Sequence, residues 1–254
     1  MASLPLVTAH TGCENTRPNS LESILAGISA GADTVEVDVR ATRDLIPILM
    51  HDSELIYHGS TVRVEELSLD EIRGITATDA AISAPVSTLD EAMRLVGSQD
   101  IMLNLDLKDD RCIEGVVATI RRYSMSEKIL LSGCEANRAA ILRALAPELP
   151  VLLNAEMPSD GLAAQRYGDF VDTTCLAATR TGCCGINVAF EACRPELVDR
   201  SQRRYLPVSV WTVDDGRDMK NLVDMGVHSI TTLHPRLLLD LLGRTVPAQT
   251  AGLP

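Results

Sequence analysis

Short apolar runs of strand length alternate with segments of helical periodicity along nearly the whole chain, and this alternation restricts the fold more than any other feature. The strand-like runs are Leu6–Ala9, Thr34–Val39, Ile46–Met50, Met102–Leu107, Ile129–Ser132, Val151–Asn154, Gly185–Val188, Val208–Thr212 and Ser229–Thr232. Apolar residues returning every three or four positions predict helices over Ser20–Ala30, Ile113–Tyr123, Ala136–Leu145, Pro195–Arg204, Asp215–Met225 and Pro235–Leu242. Ser20 is placed to cap the first helix, and Asp214 or Asp215 the helix after Trp211. A strand followed by a crossover helix returns parallel to its neighbour, and roughly eight such units close on themselves. The expected architecture is therefore α/β: a TIM (β/α)8 barrel, a single domain over residues 1–254, with one insertion over residues 52–87 before a helix at Leu89–Val96. Long loops on such barrels gather at the mouth, so the insertion is expected to cover one side of it.

Composition agrees with helix-covered parallel strands. The chain is 46% hydrophobic but only 3% aromatic, so Val, Ile, Leu, Ala and Met must build the core. A formal charge of −12 argues against a nucleic-acid partner and against docking on anionic membranes. No apolar run approaches the roughly 20 residues needed to span a bilayer, and no basic start precedes an apolar segment, so a cytoplasmic protein is expected. Assembly into a homo-oligomer through exposed helices is compatible with this composition. The seven cysteines form an odd set in a chain large enough to fold without staples, which predicts reduced thiols. Cys183, Cys184 and Cys193 lack the Cys-x-x-Cys or Cys/His spacing of a zinc site.

Against this apolar background, several polar residues stand at the ends of strand-like runs. They are His10, Glu36 and Asp38, His51, and Asp106 and Lys108. Strand residues two apart share a face, so Glu36 can converge with Asp38, and Asp106 with Lys108. Carboxylates buried among Val, Ile and Leu need a compensating partner. Acidic oxygens suit a hard divalent ion, Mg²⁺ or Ca²⁺. The competing reading is structural ion pairing, of Glu36 with Arg40 or of Lys108 with Asp106 or Asp38. Trp211, the sole tryptophan, is either a core aromatic or a wall of a substrate pocket. His58, His228 and His234 match no catalytic pattern and read as surface or loop residues.

Ala9-His10-Thr11-Gly12, Pro18-Asn19-Ser20, Gly31 through Val39, and Pro47 through Asp52 closely resemble, in order and spacing, the glycerophosphodiester phosphodiesterase family. Leu103 through Lys108 is similar to that family's Asn-x-Glu-x-Lys strand, Val208 through Asp215 to its Trp-Thr strand, and Gly226 through Pro235 to its closing strand. The resemblance implies a TIM barrel, a bound Ca²⁺ or Mg²⁺, and cleavage of a small phosphodiester into an alcohol and a phosphomonoester. It implies Glu36, Asp38 and Asp106 as metal ligands, His10 and His51 as the acid/base pair, and Lys108 as the phosphate contact. It also implies that a neighbouring substrate hydroxyl can attack first, giving a cyclic phosphate that water opens.

The pattern departs from the family at informative places. Thr11 stands where the family has an arginine, which would hold phosphate bidentately. Thr11 itself offers a hydroxyl, and Arg17, Arg40 and Lys108 are candidates to replace the lost cation. Pro18 replaces a glutamate, for which Glu14 in the same loop is a substitute; Asp106 is one methylene shorter than the family's glutamate; and Leu233 stands where an aspartate is common. The leading expectation is a metal-dependent phosphodiesterase. The alternatives are a lysophospholipase D-like or cyclising enzyme, needing an apolar groove from the insertion, and a phosphate-ligand binding barrel without turnover.

Overall fold

The computed structural model describes residues 4–78, 85–157 and 164–244. A nine-stranded sheet runs β1 (Leu6–Ala9), β11 (Ser229–Thr232), β10 (Val208–Trp211), β9 (Gly185–Ala189), β8 (Val151–Ala155), β7 (Ile129–Cys134), β6 (Met102–Leu107), β2 (Thr34–Ala41) and β3 (Pro47–Leu49). Pairing of β1 with β2 closes the ring, and every pair in it is parallel except β2 with β3. The result is the expected TIM barrel of eight parallel strands, with β3 reversed at its rim.

Helices α1 (Leu21–Ala30), α3 (Leu89–Val96), α4 (Ile113–Tyr123), α5 (Ala136–Leu145), α6 (Ala164–Thr181), α7 (Pro195–Gln202), α8 (Gly216–Met225) and α9 (Pro235–Leu241) surround it. Ser20 caps α1 by accepting from the Ser23 N–H, and Asp215 caps α8 by accepting from the Arg217 and Asp218 N–H groups. Among the described residues, no helix is long and apolar enough to cross a membrane.

Each strand divides its residues by pleat. Val35, Val37 and Val39 on β2 and Leu103, Leu105 and Leu107 on β6 join one core cluster with residues of the surrounding helices. The alternate positions, Glu36, Asp38, Asn104 and Asp106, line a cavity in the barrel instead. Register puts Glu36 level with Asn104, and Asp38 level with Asp106. A polar lumen inside an apolar shell is thus written into the period-two pattern of the strands.

Two features differ from expectation. The run at Ile46–Met50 is no barrel strand: β3 is antiparallel to the overhanging end of β2, with Leu49 opposite Val39 and Pro47 opposite Ala41. The insertion is more regular than a loop, holding the antiparallel hairpin β4 (Glu54–Tyr57) and β5 (Ser60–Arg63) and helix α2 (Leu69–Thr78). His58 and Gly59, both at positive φ, make the two-residue turn. Ile48, Leu55, Val64, Ile72, Ile75 and Val86 form a separate small core beneath it. Residues 79–84 of the expected insertion lie outside the described residues.

Candidate active site at the barrel mouth

The strand ends bring the sequence-distant polar residues to one cavity of about 460 Å³. His10, Glu36, Asp38, His51, Asp106, Lys108 and Trp211 all line it. One oxygen each from Glu36, Asp38 and Asp106 lies within 4.8 Å of the others. Burial pushes the Glu36 carboxyl well above its ordinary range, and the negative charges of Asp38 and Asp106 add to the effect. Asp106 is also raised, chiefly by burial, although Lys108 opposes this.

Lys108 Nζ sits 2.9 Å from Asp38 Oδ1 and 3.3 Å from Asp106 Oδ1. Burial disfavours its charge, but Asp106 and Asp38 outweigh burial and raise its pKa. The competing reading, an ion pair of Lys108 with Asp106 or Asp38, is present with both acids. The alternative pairing of Glu36 with Arg40 is absent, because Arg40 donates to the His51 carbonyl at 2.8 Å and lies 3.8 Å from Asp109. One lysine against three carboxylates leaves an excess of negative charge. Asn104 Oδ1 and Ser132 Oγ are buried without a hydrogen-bond partner, while Asp106 Oδ1 has the Lys108 ammonium 3.3 Å away. Unpartnered acceptors on a carboxylate-lined wall fit a hard divalent cation, so these residues form a cluster able to hold one.

The two histidines reach the cavity by different routes. His10 follows β1, and its Nδ1 lies 2.8 Å from the Thr11 carbonyl. A carbonyl only accepts, so Nδ1 carries the proton and Nε2 is the free nitrogen of the neutral ring, 3.9 Å from Glu36 Oε2. His51 arrives on the reversed strand: Met50 N–H donates to the Asp38 carbonyl at 3.0 Å, which sets the following residue level with the acids. His51 is exposed, and its Nδ1 contacts Asp52 Oδ1 at 2.9 Å.

A profile of the glycerophosphoryl diester phosphodiesterase family matches residues 10–237. The chain belongs to that family. As a member of it, the protein is a phosphoric diester hydrolase. It is 25% identical over 248 residues to a glycerophosphodiester phosphodiesterase of Caldanaerobacter subterraneus subsp. tengcongensis, covering 93% of this chain and 97% of the relative. Its fold matches that of a phosphodiesterase from Oleispira antarctica solved with the product sn-glycerol-3-phosphate (TM-score 0.79, 20% identity, 94% of this chain and 97% of that one). A Parabacteroides distasonis glycerophosphodiester phosphodiesterase superposes similarly (TM-score 0.78, 20% identity, 96% and 98%).

Within this family member, some expected substrate contacts lie elsewhere. Thr11 is 3% exposed and does not line the cavity; its hydroxyl is engaged with Asn19. Glu14 faces Arg236 at 3.5 Å and does not line the cavity. Of the candidate replacements for the family's arginine, Arg40 is tied to His51 and Asp109, and Arg17 lines a neighbouring pocket that shares only His51 with this one. Trp211, 37% exposed, lines the cavity wall.

Sequence reasoning passed over Arg138, Glu135, Asn154, Glu156 and Asn187, all of which line the cavity. Asn154 and Asn187 face each other at 3.3 Å from β8 and β9, and the alternation within those strands was a usable signal. Arg138 carries no such signal. It reaches the site from α5, held by Asp110 at 2.6 Å and by the Leu107 and Gly133 carbonyls. All seven cysteines are free, six of them buried and Cys184 exposed, and burial raises the pKa of the six buried thiols.

Proposed function

We propose that this protein hydrolyses a glycerophosphodiester to an alcohol and sn-glycerol 3-phosphate. The observation that carries this reading is the convergence of two histidines, three carboxylates and a lysine in one cavity of a family barrel. Glu36, Asp38 and Asp106 would hold the cation, and Mg²⁺ or Ca²⁺ suits a set made only of oxygens. When bound, such an ion neutralises charge on the phosphoryl oxygens. Lys108, paired with Asp38 and Asp106 at the cavity wall, would meet the phosphate and stabilise the added charge of the transition state. His10 and His51 each have Nδ1 committed, so proton transfer from the nucleophile and to the leaving alkoxide runs through Nε2. Trp211 lines the alcohol side. Seven free thiols suit a reducing compartment such as the cytoplasm.

The test is release of alcohol and glycerol phosphate from a panel of glycerophosphodiesters with Mg²⁺ or Ca²⁺. Activity should vanish on chelation and fall about 10²- to 10⁴-fold in His10→Ala or His51→Ala. Turnover that survives both treatments overturns the reading, and metal binding with no turnover on any diester replaces it with a binding protein.

A second reading rests on the pocket beside His51, about 270 Å³, where Pro18, Leu49, Met50, Leu55 and Val86 make an apolar wall alongside Arg17, Asn19, Asp52 and Thr76. The apolar wall, formed in part by the insertion, would take an acyl chain, giving a lysophospholipase D-like activity. Lysophospholipid cleavage faster than that of glycerophosphodiesters favours it, and phosphorus NMR separates a cyclic phosphate product from a monoester.

A further inference from the structure

The segment after β1 turns inward where the family pattern has an arginine, and the polar atoms of Thr11 meet Glu36, His10 and Asn19. Its N–H donates to Glu36 Oε2 at 3.1 Å, and its carbonyl receives the His10 ring proton at 2.8 Å. Its hydroxyl accepts from the Asn19 N–H and lies 3.4 Å from Asn19 Oδ1. Asn19 in turn grips Asp38 twice: Nδ2 donates to Asp38 Oδ2 at 2.8 Å, and Oδ1 accepts from the Asp38 N–H at 2.9 Å. Thr11 and Asn19 are both buried.

This geometry divides the work on Asp38. Oδ2 is spent on Asn19, while Oδ1 faces Lys108 and the other acids. The Asn19 amide can take only one orientation, because its oxygen receives a backbone N–H and its NH₂ must donate to a carboxylate. The Thr11 hydroxyl anchors the backbone of Asn19 and so the position of that amide. Side chains that orient metal ligands commonly change metal affinity about 10- to 100-fold when removed.

We infer that Thr11 is a positioning residue for the cation site, acting through Asn19 on Asp38, and not a phosphate-binding residue. The inference rests on the proposed metal site at Glu36, Asp38 and Asp106. Thr11→Val keeps the shape and loses the hydroxyl, and calorimetric titration with Ca²⁺ or Mg²⁺ should show affinity about 10-fold weaker. Thr11→Ser should restore affinity to within about threefold. In an Asn19→Ala background Thr11→Val should add nothing, because the path from Thr11 to Asp38 is already broken. Thr11→Ala, measured in parallel, serves if the valine variant does not fold. Thr11→Arg should leave kcat/KM no higher than that of the wild type, since the position serves the cation site and not the phosphate.

Unchanged metal affinity in Thr11→Val, or additive losses with Asn19→Ala, overturns the inference while leaving the metal site standing. So does a Thr11→Arg protein with wild-type metal affinity and raised kcat/KM, which assigns the position to phosphate recognition. A wild-type protein that binds neither ion overturns both this inference and the metal site.

Discussion

Lys108 shows how single residues hold this site together before any ligand arrives. Its ammonium stands between Asp38 and Asp106 and offsets part of the burial and mutual repulsion that raise Glu36 and Asp106. Removing one partner of a buried ionic group leaves the rest uncompensated, and a bound cation would then carry the whole load. Lys108→Met should therefore destabilise the protein in chelator by roughly 2 kcal/mol, on the order of 4–8 °C in melting temperature for a domain of this size. With saturating Ca²⁺ or Mg²⁺ the loss should shrink, and differential scanning calorimetry in both buffers reads the contrast. The acids, the histidines and this lysine were legible in sequence because charge at the end of an apolar strand is conspicuous. Arg138 was not, since an arginine on an amphipathic helix looks like any surface cation.

At the scale of elements, the end of β7 is built around its neighbour. A Cβ on Gly133 would stand 2.2 Å from Asp106 Oδ1 and 2.5 Å from the Leu107 carbonyl, and the residue has φ +69°. Gly133→Ala should cost about 2–4 kcal/mol through strain and displaced packing. It should also weaken cation binding by pushing Asp106; thermal unfolding and metal titration check the two effects separately. The reversed strand β3 carries His51, and Arg40 ties the His51 carbonyl to β2. Arg40→Ala should lower kcat about 10- to 100-fold with a smaller change in KM, as expected of a displaced catalytic group. A run of four or five apolar residues does not encode its direction, so β3 reads as another barrel strand. Helix α6 escaped notice for a related reason: its buried stripe is Tyr167, Val171, Thr174, Cys175 and Ala178, helical in spacing but largely small or polar.

The whole barrel depends on closure between its two ends. Arg244, after α9, makes a bidentate pair with Asp33, just before β2, at 2.6 and 2.7 Å, and the Val7 N–H donates to the same carboxylate at 2.8 Å. Burial alone would raise Asp33; the Arg244 hydrogen bonds and the Val7 amide outweigh it and hold its carboxyl below the ordinary 3.8. A depressed carboxyl stabilises the folded state above its unfolded pKa and loses that contribution as pH falls through 3.8 toward the lower folded value. Both partners are partly exposed, so the contribution is about 1–2 kcal/mol after screening. Asp33→Asn should lose that amount near neutral pH and show a flatter fall in melting temperature on acidification. A second whole-molecule outcome follows from linkage: cation at about 100 times its dissociation constant should stabilise the wild type by roughly 2.7 kcal/mol, and this gain should disappear in Asp38→Asn.

Local pattern alone determined the barrel, the identity of the acidic trio and the pairing of a polar lumen with an apolar shell. Strand periodicity and strand-helix alternation are short-range properties that a linear reading captures. Only the tertiary structure decided what the loops do with their polar atoms. Thr11, read as a candidate substrate contact, engages Asn19 and Glu36, and Glu14 turns to Arg236. Those choices depend on which distant groups lie within about 3 Å, and sequence spacing does not specify such distances.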